Sequence, residues 1–583
     1  MHRHARTRVR LRDVVLRAPG VAWHLPRILR NASGFGIRPD SAWSIGAMFQ
    51  EAAWRTPNDV FLRFEGEEWT YCEANLIVNR YACALDQKYG VERGDVVGVM
   101  LENRPQTLFL VLAVVKLGAV AGMLNHHQRG QVLSHSIGLL RSSMLVVGAE
   151  CRDAVDRLDD LSASVVDAAD VHHAAAFASD ADPEVCANVT AGEHAFLVFT
   201  SGTTGLPKAS AMSHLRCSRS WAGFGGVGVR LARRDALYCC LPLYHNNALT
   251  VALSSVIAAN ATFALGGRFS ASTFWDDIAR ARATAFVHVG EMCRYLLNLE
   301  PTPAERAHRV RVVVGNGLSP ELWDEFRDRF RIRRVVEFYG ASECPLAFVN
   351  VFNVPRTAGV GALPYAVVEY DAETGAPLRG ANGRLRRAGR GNVGLLMSRV
   401  TEMTPFDGYV HDAKASEAKL IRNGFELGDV WFDTGDLVLD QGCRHVAFVD
   451  RLGDTFRWKG ENVSATQVEA AIAAVGAIDH AVVYGVAVPG ADGKAGMAAV
   501  VLRKNAAFDG IALADGLYRR LPTYAMPLFV RIVDELTLTS TFKNRKVELR
   551  AEGYDPGAVG ELYVLAGRES GYVAANLPVQ NDP

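Results

Sequence analysis

At 583 residues the chain is long enough for two or more domains, and 49% apolar with 22% charged residues is the composition of a soluble globular protein. Acidic and basic residues balance at 63 each, so no global field points to nucleic acid or another polyanion. Ten cysteines are scattered without a Cys-x-x-Cys pair, which excludes a disulfide framework and fits the reduced thiols of a cytoplasmic enzyme.

The first forty residues depart from that balance. Arg3, Arg6, Arg8, Arg10, Arg12, Arg17, Arg27, Arg30 and Arg38 face only Asp13 and Asp40, interleaved with Val14, Leu16, Val21, Trp23, Leu25 and Leu29. No uninterrupted apolar run occurs, which excludes a secretory signal or a spanning helix here. Two readings remain: a basic amphipathic segment lying on an anionic membrane surface, or a basic extension packed on its own protein. Residues 41–150 read as an α/β unit, with strands at 61–64 and 96–100 and helices at 73–87 and 104–117. The apolar run 108–124, interrupted by Lys116, has the length of a helix covering a parallel sheet.

Residues 190–350 alternate short apolar runs (195–199, 236–240, 285–289, 310–314, 335–338) with helix-length amphipathic ones, the pattern of parallel strands with crossover helices. Residues 248–265 divide into a helix and then a strand. From 351 to 450 glycine and short β patterns (359–363, 393–397, 446–449) predict a small barrel or distorted sheet. A smaller α/β region follows, with a helix near 466–474 and strands near 481–488 and 498–502. The expected division is a basic extension (1–44), a main domain (45–450), a hinge (451–455), a mobile second domain (456–565) and a peripheral tail (566–583). The fold class is α/β: a large N-terminal domain of doubly wound subdomains with a distorted β-barrel, and a smaller α+β C-terminal domain.

Four groups of segments carry the chemistry. Thr200-Ser201-Gly202-Thr203-Thr204-Gly205-Leu206-Pro207-Lys208 follows the strand 195–199. Its glycines let backbone N–H groups turn toward one anion, its hydroxyls add neutral donors, and Lys208 brings a point charge for a polyphosphate. The spacing is not that of a Walker loop. Next come Gly315-Asn316-Gly317, suited to backbone contact with an adenine edge, and Tyr339-Gly340-Ala341-Ser342-Glu343. In the latter the aromatic offers a flat face for a purine and Glu343 can hold Mg²⁺ against phosphate oxygens. Third, in Asp433-Thr434-Gly435-Asp436 an acid in a tight turn can accept both ribose hydroxyls, with Arg451 as a further sugar or phosphate contact. Last is the basic run Lys543-Asn544-Arg545-Lys546. Joining a carboxylate to a triphosphate brings two anions together and needs a mobile cation.

On these segments, with Pro242-Leu243-Tyr244-His245, the chain resembles the adenylate-forming acyl-CoA synthetases over residues 45 to 560. Within them it is similar to the fatty acid transport protein and very-long-chain acyl-CoA synthetase branch. That likeness rests on Phe269-Ser270-Ala271-Ser272-Thr273-Phe274-Trp275, Gly290-Glu291-Met292-Cys293-Arg294-Tyr295, and Asp450-Arg451-Leu452-Gly453-Asp454-Thr455-Phe456-Arg457-Trp458-Lys459-Gly460-Glu461-Asn462. The resemblance implies ATP, Mg²⁺ and coenzyme A acting on a fatty acid, with Lys543, Glu343, Thr200 and His245 as catalytic residues. It implies that Gly453 is a hinge and that Arg457, Trp458, Lys459 and Gly460 face the site after a domain swing, for the thioester step. His245 would sit where the acyl tunnel meets the adenylate. Departures are Ser342 for the usual threonine, Cys344-Pro345 after the acid, Met526 for a common arginine, and Phe542 before the lysine. Rival expectations are a branched, sterol-derived or short polar acid as substrate, or a membrane-associated lipid-uptake protein.

Outside these segments, Gly223-Phe224-Gly225-Gly226-Val227-Gly228 mimics a dinucleotide fingerprint without a strand before it. His135, His288 and His308 lack ligand spacing, and no His/Asn arrangement marks Cys293 or Cys344 as a nucleophile.

Overall fold

The computed structural model describes residues 8–158, 161, 163–200, 206–371, 374–452, 456–458, 461–489, 493–536, 546–554 and 561–575. Of the residues singled out above, Arg3, Arg6, Ser201, Gly202, Thr203, Thr204, Gly205, Gly453, Asp454, Thr455, Lys459, Gly460, Phe542, Lys543, Asn544 and Arg545 lie outside these, as do the side chains of Arg457, Glu461 and Asn462.

Two parallel sheets form the main body. In the six-stranded sheet, Val96–Met100, Val120–Met123, Met144–Val147, Ser164–Asp167 and His194–Thr200 run parallel, and Lys208–Ser213 closes one edge antiparallel. In the larger sheet, Val60–Phe64 pairs parallel with Thr262–Leu265, followed by Ala236–Cys239, Ala285–Val289, Val312–Asn316 and Arg334–Tyr339. The expected 41–150 unit therefore does not stand alone. Its first strand joins the second sheet, while His194–Thr200 joins the first. Strand pairing is decided by apolar faces brought together over long sequence separations, which local patterning does not encode.

The run 108–124 is not one helix. Pro105–Lys116 is helical and almost wholly buried, Gly118 (φ +70°) turns the chain, and Val120–Met123 is a strand. Glycine after a helix takes the left-handed conformation without a Cβ penalty and ends the helix. Lys116 is buried with its ammonium within 3.0 Å of Asn75 Oδ1 and Asp182 Oδ1 and 2.6 Å from Asn79 Oδ1. Those partners satisfy a charge that could not otherwise be buried.

The glycine-rich 351–450 region continues the large sheet in antiparallel fashion through Phe348–Val349, Gly359–Gly361, His445–Arg451, Val430–Gly442, Val393–Val400 and Tyr365–Val368. The dinucleotide look-alike is a π-helical stretch, Trp221–Val229. A Cβ on Gly226 would stand 2.7 Å from the Asn31 side chain, and one on Gly225 2.6 Å from Ala258, so these glycines permit close helix packing.

The basic N-terminus is helical: Leu11–Val15, Ala18–Ala22 and Leu25–Ala32. The third helix packs on the π-helical stretch, with Arg30 Nη2 donating to the Ala258 carbonyl at 3.1 Å. Beyond Arg451 a five-stranded sheet with its own core comprises Ile478–Ala487, Lys494–Leu502, Phe529–Ile532, Leu562–Gly567 and Gly571–Ala574. The last hairpin corrects the expected tail from 566: Tyr572 is buried in that core and donates to the Pro527 carbonyl at 2.9 Å. The aromatic and β-branched residues of 562–574 find a pleated surface to cover, which outweighs the polar composition around them.

Candidate active site

The two residues that flank the expected phosphate loop, Thr200 on one side and Lys208 on the other, belong to adjacent antiparallel strands. Thr200 and Lys208 are cross-strand partners in the antiparallel pair, so their side chains are held together at the mouth of the turn. Lys208 Nζ lies 5.1 Å from the ring centroid of Tyr409, and His135 Nε2 donates to the Pro207 carbonyl at 3.0 Å. His135, which its spacing left without a role, thus braces the loop's far end.

The second loop leaves the strand Val312–Asn316. A Cβ on Gly315 would meet the His288 carbonyl at 2.2 Å, and Gly317 has φ +86°, so this chain path requires glycine at both. Asn247 donates to Asn316 Oδ1 at 2.8 Å, and Leu318 N–H donates to Glu337 Oε1 at 3.1 Å. Burial pushes the Glu337 carboxyl well above its ordinary range. Neither Asn247 nor Glu337 carries a sequence signal; the fold supplies both.

The third loop follows Arg334–Tyr339, and Gly340, Ala341, Ser342 and Glu343 all line the same cavity. Tyr409 donates to Glu343 Oε1 at a long 3.5 Å. Burial, then the Glu343 charge, raise the Tyr409 hydroxyl above its usual value. Tyr339 donates to Asp436 Oδ2 at 2.6 Å, and its ring lies stacked toward Phe448 with centroids 6.4 Å apart.

Asp436 is not in a tight turn, as its sequence context suggested, but within the long strand Val430–Gly442. The turn chemistry survives as a bulge: Gly435 (φ +72°) donates to Asp433 Oδ1 and Asp436 N–H donates to Thr434 Oγ1. The register slips there between Leu395 and Met397 of the neighbouring strand. Bulges re-aim side chains, and this one puts a nearly buried carboxylate on the cavity wall. Arg451, its cross-strand partner, lies 3.4 Å away as an ion pair.

One cavity of about 2560 Å³ takes in Thr200, Asn316, Tyr339, Glu343, Asp436 and Arg451. Gly317 and His245 line it as well. A drug-sized ligand fills about 300–1,000 Å³, so the space exceeds one nucleotide. It includes an apolar portion lined by Ile28, Phe224, Val227, Val251 and Val349. Thr200, Gly317, Tyr339, Glu343, Asp436, Arg451 and His245 are therefore gathered in one place from distant segments. Trp458 is not among them in this arrangement; it is buried in the core of the small domain.

The small domain closes one side. Arg294 Nη1 donates to the Asp479 carbonyl at 2.7 Å and Asn298 donates to Asp479 Oδ1 at 2.8 Å. Lys546 and Glu469, paired at 3.0 Å, both face the cavity. Ser464 Oγ donates to Asp450 Oδ2 at 2.9 Å across the expected hinge. Arg216, also unsignalled by sequence, donates to the Cys344 carbonyl at 2.9 Å. Burial pushes the Cys344 thiol up to about 12 and raises that of Cys293 well above its ordinary value, so neither is an activated nucleophile.

Comparison with known proteins agrees with this geometry. Solved structures with the same fold include an anthranilate CoA ligase, AuaEII, in complex with anthranoyl-AMP (TM-score 0.75, 18% identity, 88% of this chain and 97% of that one). Another is ATP-bound MatB from Rhodopseudomonas palustris (TM-score 0.73, 24% identity, 87% and 99%). By sequence the chain is 55% identical over 574 residues to the medium/long-chain-fatty-acid–CoA ligase FadD6 of Mycobacterium tuberculosis, covering 98% of this chain and 96% of that protein. It is 36% identical to long-chain fatty acid transport protein 2 of Rattus norvegicus, over 92% and 89% of the two chains. The family model for AMP-binding enzymes matches residues 49–395, and that for the AMP-binding enzyme C-terminal domain matches 467–543. The chain belongs to the AMP-binding enzyme family.

Proposed function

We propose that this protein is an ATP-dependent fatty acid–CoA ligase, acting on long or very long acyl chains through an acyl-adenylate. The observation that carries the reading is one cavity whose wall joins the polar residues Thr200, Asn316, Glu343, Asp436 and Arg451 to an apolar portion. The relatives' names point to the same substrate class.

In the first step a carboxylate oxygen attacks the α-phosphorus and the bond to the bridging oxygen breaks, releasing pyrophosphate. Thr200 and Lys208 hold the phosphate chain, Asp436 accepts the ribose hydroxyls with Arg451 beside it, and the 315–317 loop meets the adenine edge. Lys543 offsets charge between the entering and leaving oxygens. The residues fit a hard cation: a Mg²⁺ bound through one carboxylate, phosphate oxygens and water would be held by Glu343, whose oxygen faces the cavity with only a long hydrogen bond, and would neutralise phosphate charge. In the second step the thiol of coenzyme A attacks the acyl carbon, the acyl–phosphate C–O bond breaks and AMP leaves.

Residues 451–455 serve as the hinge between a main domain ending at 450 and the small domain. Rotation there would withdraw Lys543 and bring Arg457, Trp458, Lys459 and Gly460 to the site, giving one domain two working faces. Burial of Trp458 in the present arrangement supports an assignment to the first step. The enzyme works in the cytoplasm at the inner face of a membrane, its activity coupled to fatty acid uptake.

The test is pyrophosphate release and acyl-CoA formation over acids of increasing length, with branched, sterol-derived and short polar acids as competitors. Turnover confined to the competitors would overturn the substrate class. Absence of ATP–pyrophosphate exchange with every acid would overturn the reaction.

A further inference from the structure

Among the described residues, exposed large apolar side chains are few and scattered over most of the surface, but five stand within nineteen residues on the N-terminal helices and the turns that join them. Leu11, Val15, Leu16, Trp23 and Leu29 are all more than half exposed, Trp23 at 84% and Leu16 at 75%. Exposed apolar patches of this kind mark interaction sites. The charge around them is of one sign: Arg8, Arg10, Arg12, Arg17, Arg27, Arg30 and Arg38 stand against Asp13 alone in residues 8–38. The same helices also form part of the cavity wall, through Val21, Leu25 and Ile28. Leu25 is half exposed and lines the cavity, and it lies between the exposed Trp23 and Leu29 in the chain.

We propose that residues 11–32 seat on an anionic lipid bilayer and form the portal through which the fatty acid passes from the leaflet into the acyl chamber. The proposal rests on the fatty acid reading above. Arginines drawn to acidic headgroups and apolar side chains set into the acyl boundary are the two components of interfacial helix binding. Arg30 and Asn31, hydrogen-bonded to the Ala258 carbonyl, fasten the third helix to the protein, so lipid contact is held against the chamber rather than on a free tail. A water-insoluble substrate would then reach the adenylating end without crossing solvent.

The experiment compares the full chain with Leu16→Ser/Trp23→Ser/Leu29→Ser and with Arg12→Glu/Arg17→Glu, none of which lines the cavity. Vesicles of phosphatidylcholine mixed with phosphatidylglycerol, and of phosphatidylcholine alone, are the probes. The unsubstituted chain should co-sediment with the mixed vesicles and show tryptophan quenching by brominated lipid. Each variant should lose at least about tenfold in vesicle binding and a comparable factor in pyrophosphate release from vesicle-borne palmitate, yet keep its rate on octanoate in solution. Equal binding to both vesicle types, or variants that bind like the unsubstituted chain, would overturn the lipid contact. Full turnover of vesicle-borne palmitate by a non-binding variant, or equal loss on octanoate, would overturn the portal. Absence of pyrophosphate release from every acid by the unsubstituted chain overturns the ligase reading and the portal with it, while co-sedimentation still decides the lipid contact.

Discussion

Replacing Asp436 with alanine removes the carboxylate that the bulge places on the cavity wall and that is proposed to accept the ribose hydroxyls. Hydrogen bonds to a charged group contribute about 1.5–3 kcal/mol each, so two to ribose amount to about 3–6 kcal/mol, or roughly 10²- to 10⁴-fold in kcat/KM for ATP. The substitution also takes from the buried Tyr339 hydroxyl its 2.6 Å acceptor and from Arg451 the 3.4 Å contact with Asp436. An orphaned buried hydroxyl costs about 1–3 kcal/mol of stability. The double variant Tyr339→Phe/Asp436→Ala removes that orphan and should regain most of the lost thermal stability without regaining ATP affinity. The assay is ATP–pyrophosphate exchange with ATP varied at saturating fatty acid, alongside thermal unfolding. An ATP dependence within about threefold of the unsubstituted enzyme in the folded single variant would refute the ribose role, since that corresponds to well under one charged hydrogen bond.

Lys543→Ala should abolish acyl-adenylate formation while leaving thioester formation from supplied acyl-adenylate largely intact; equal loss of both half-reactions refutes that role. Gly453→Pro should do the reverse by stiffening the hinge, and normal thioester release in a pre-steady-state assay would count against it. Arg294→Ala, which frees Asp479 from its 2.7 Å contact across the domains, should lower the adenylation rate by up to about tenfold and spare the thioester step; rapid-quench measurement of each half-reaction decides. His214 and His288 are held by burial at about 4, below their ordinary 6.5. A depressed folded value means that the unfolded chain takes up protons first, so their stabilisation is complete above 6.5 and is lost as pH falls toward 4. The melting temperature should drop across that window, and His214→Gln should flatten the drop; an unchanged profile would remove His214 from the account.

Where the chemistry depends on short contiguous segments, the sequence alone was informative. The glycine loop at 315–317 was readable because backbone geometry there is dictated by local residue type, as the close approach of His288 to Gly315 and the φ of +86° at Gly317 show. Strand positions followed from apolar runs, with boundaries within a few residues: 285–289 matched Ala285–Val289, and 393–397 lies inside Val393–Val400. The return strand Gly571–Ala574 was assigned to the tail because its short apolar run is set off by Arg568-Glu569-Ser570 and gains meaning only when a neighbouring strand covers it.

Tertiary structure alone decided which strands share a sheet, since Val60–Phe64 could pair with either neighbour and only packing against Thr262–Leu265 selects one. It alone aimed Asp436 inward through a bulge, brought Arg216 and Asn247 to the cavity from segments with no motif, set Tyr409 against Glu343, and laid the arginine-rich helices along the cavity wall. Local sequence sets the conformations each segment can take; side-chain contacts across hundreds of residues determine which surfaces meet, and a binding site is made of those meetings.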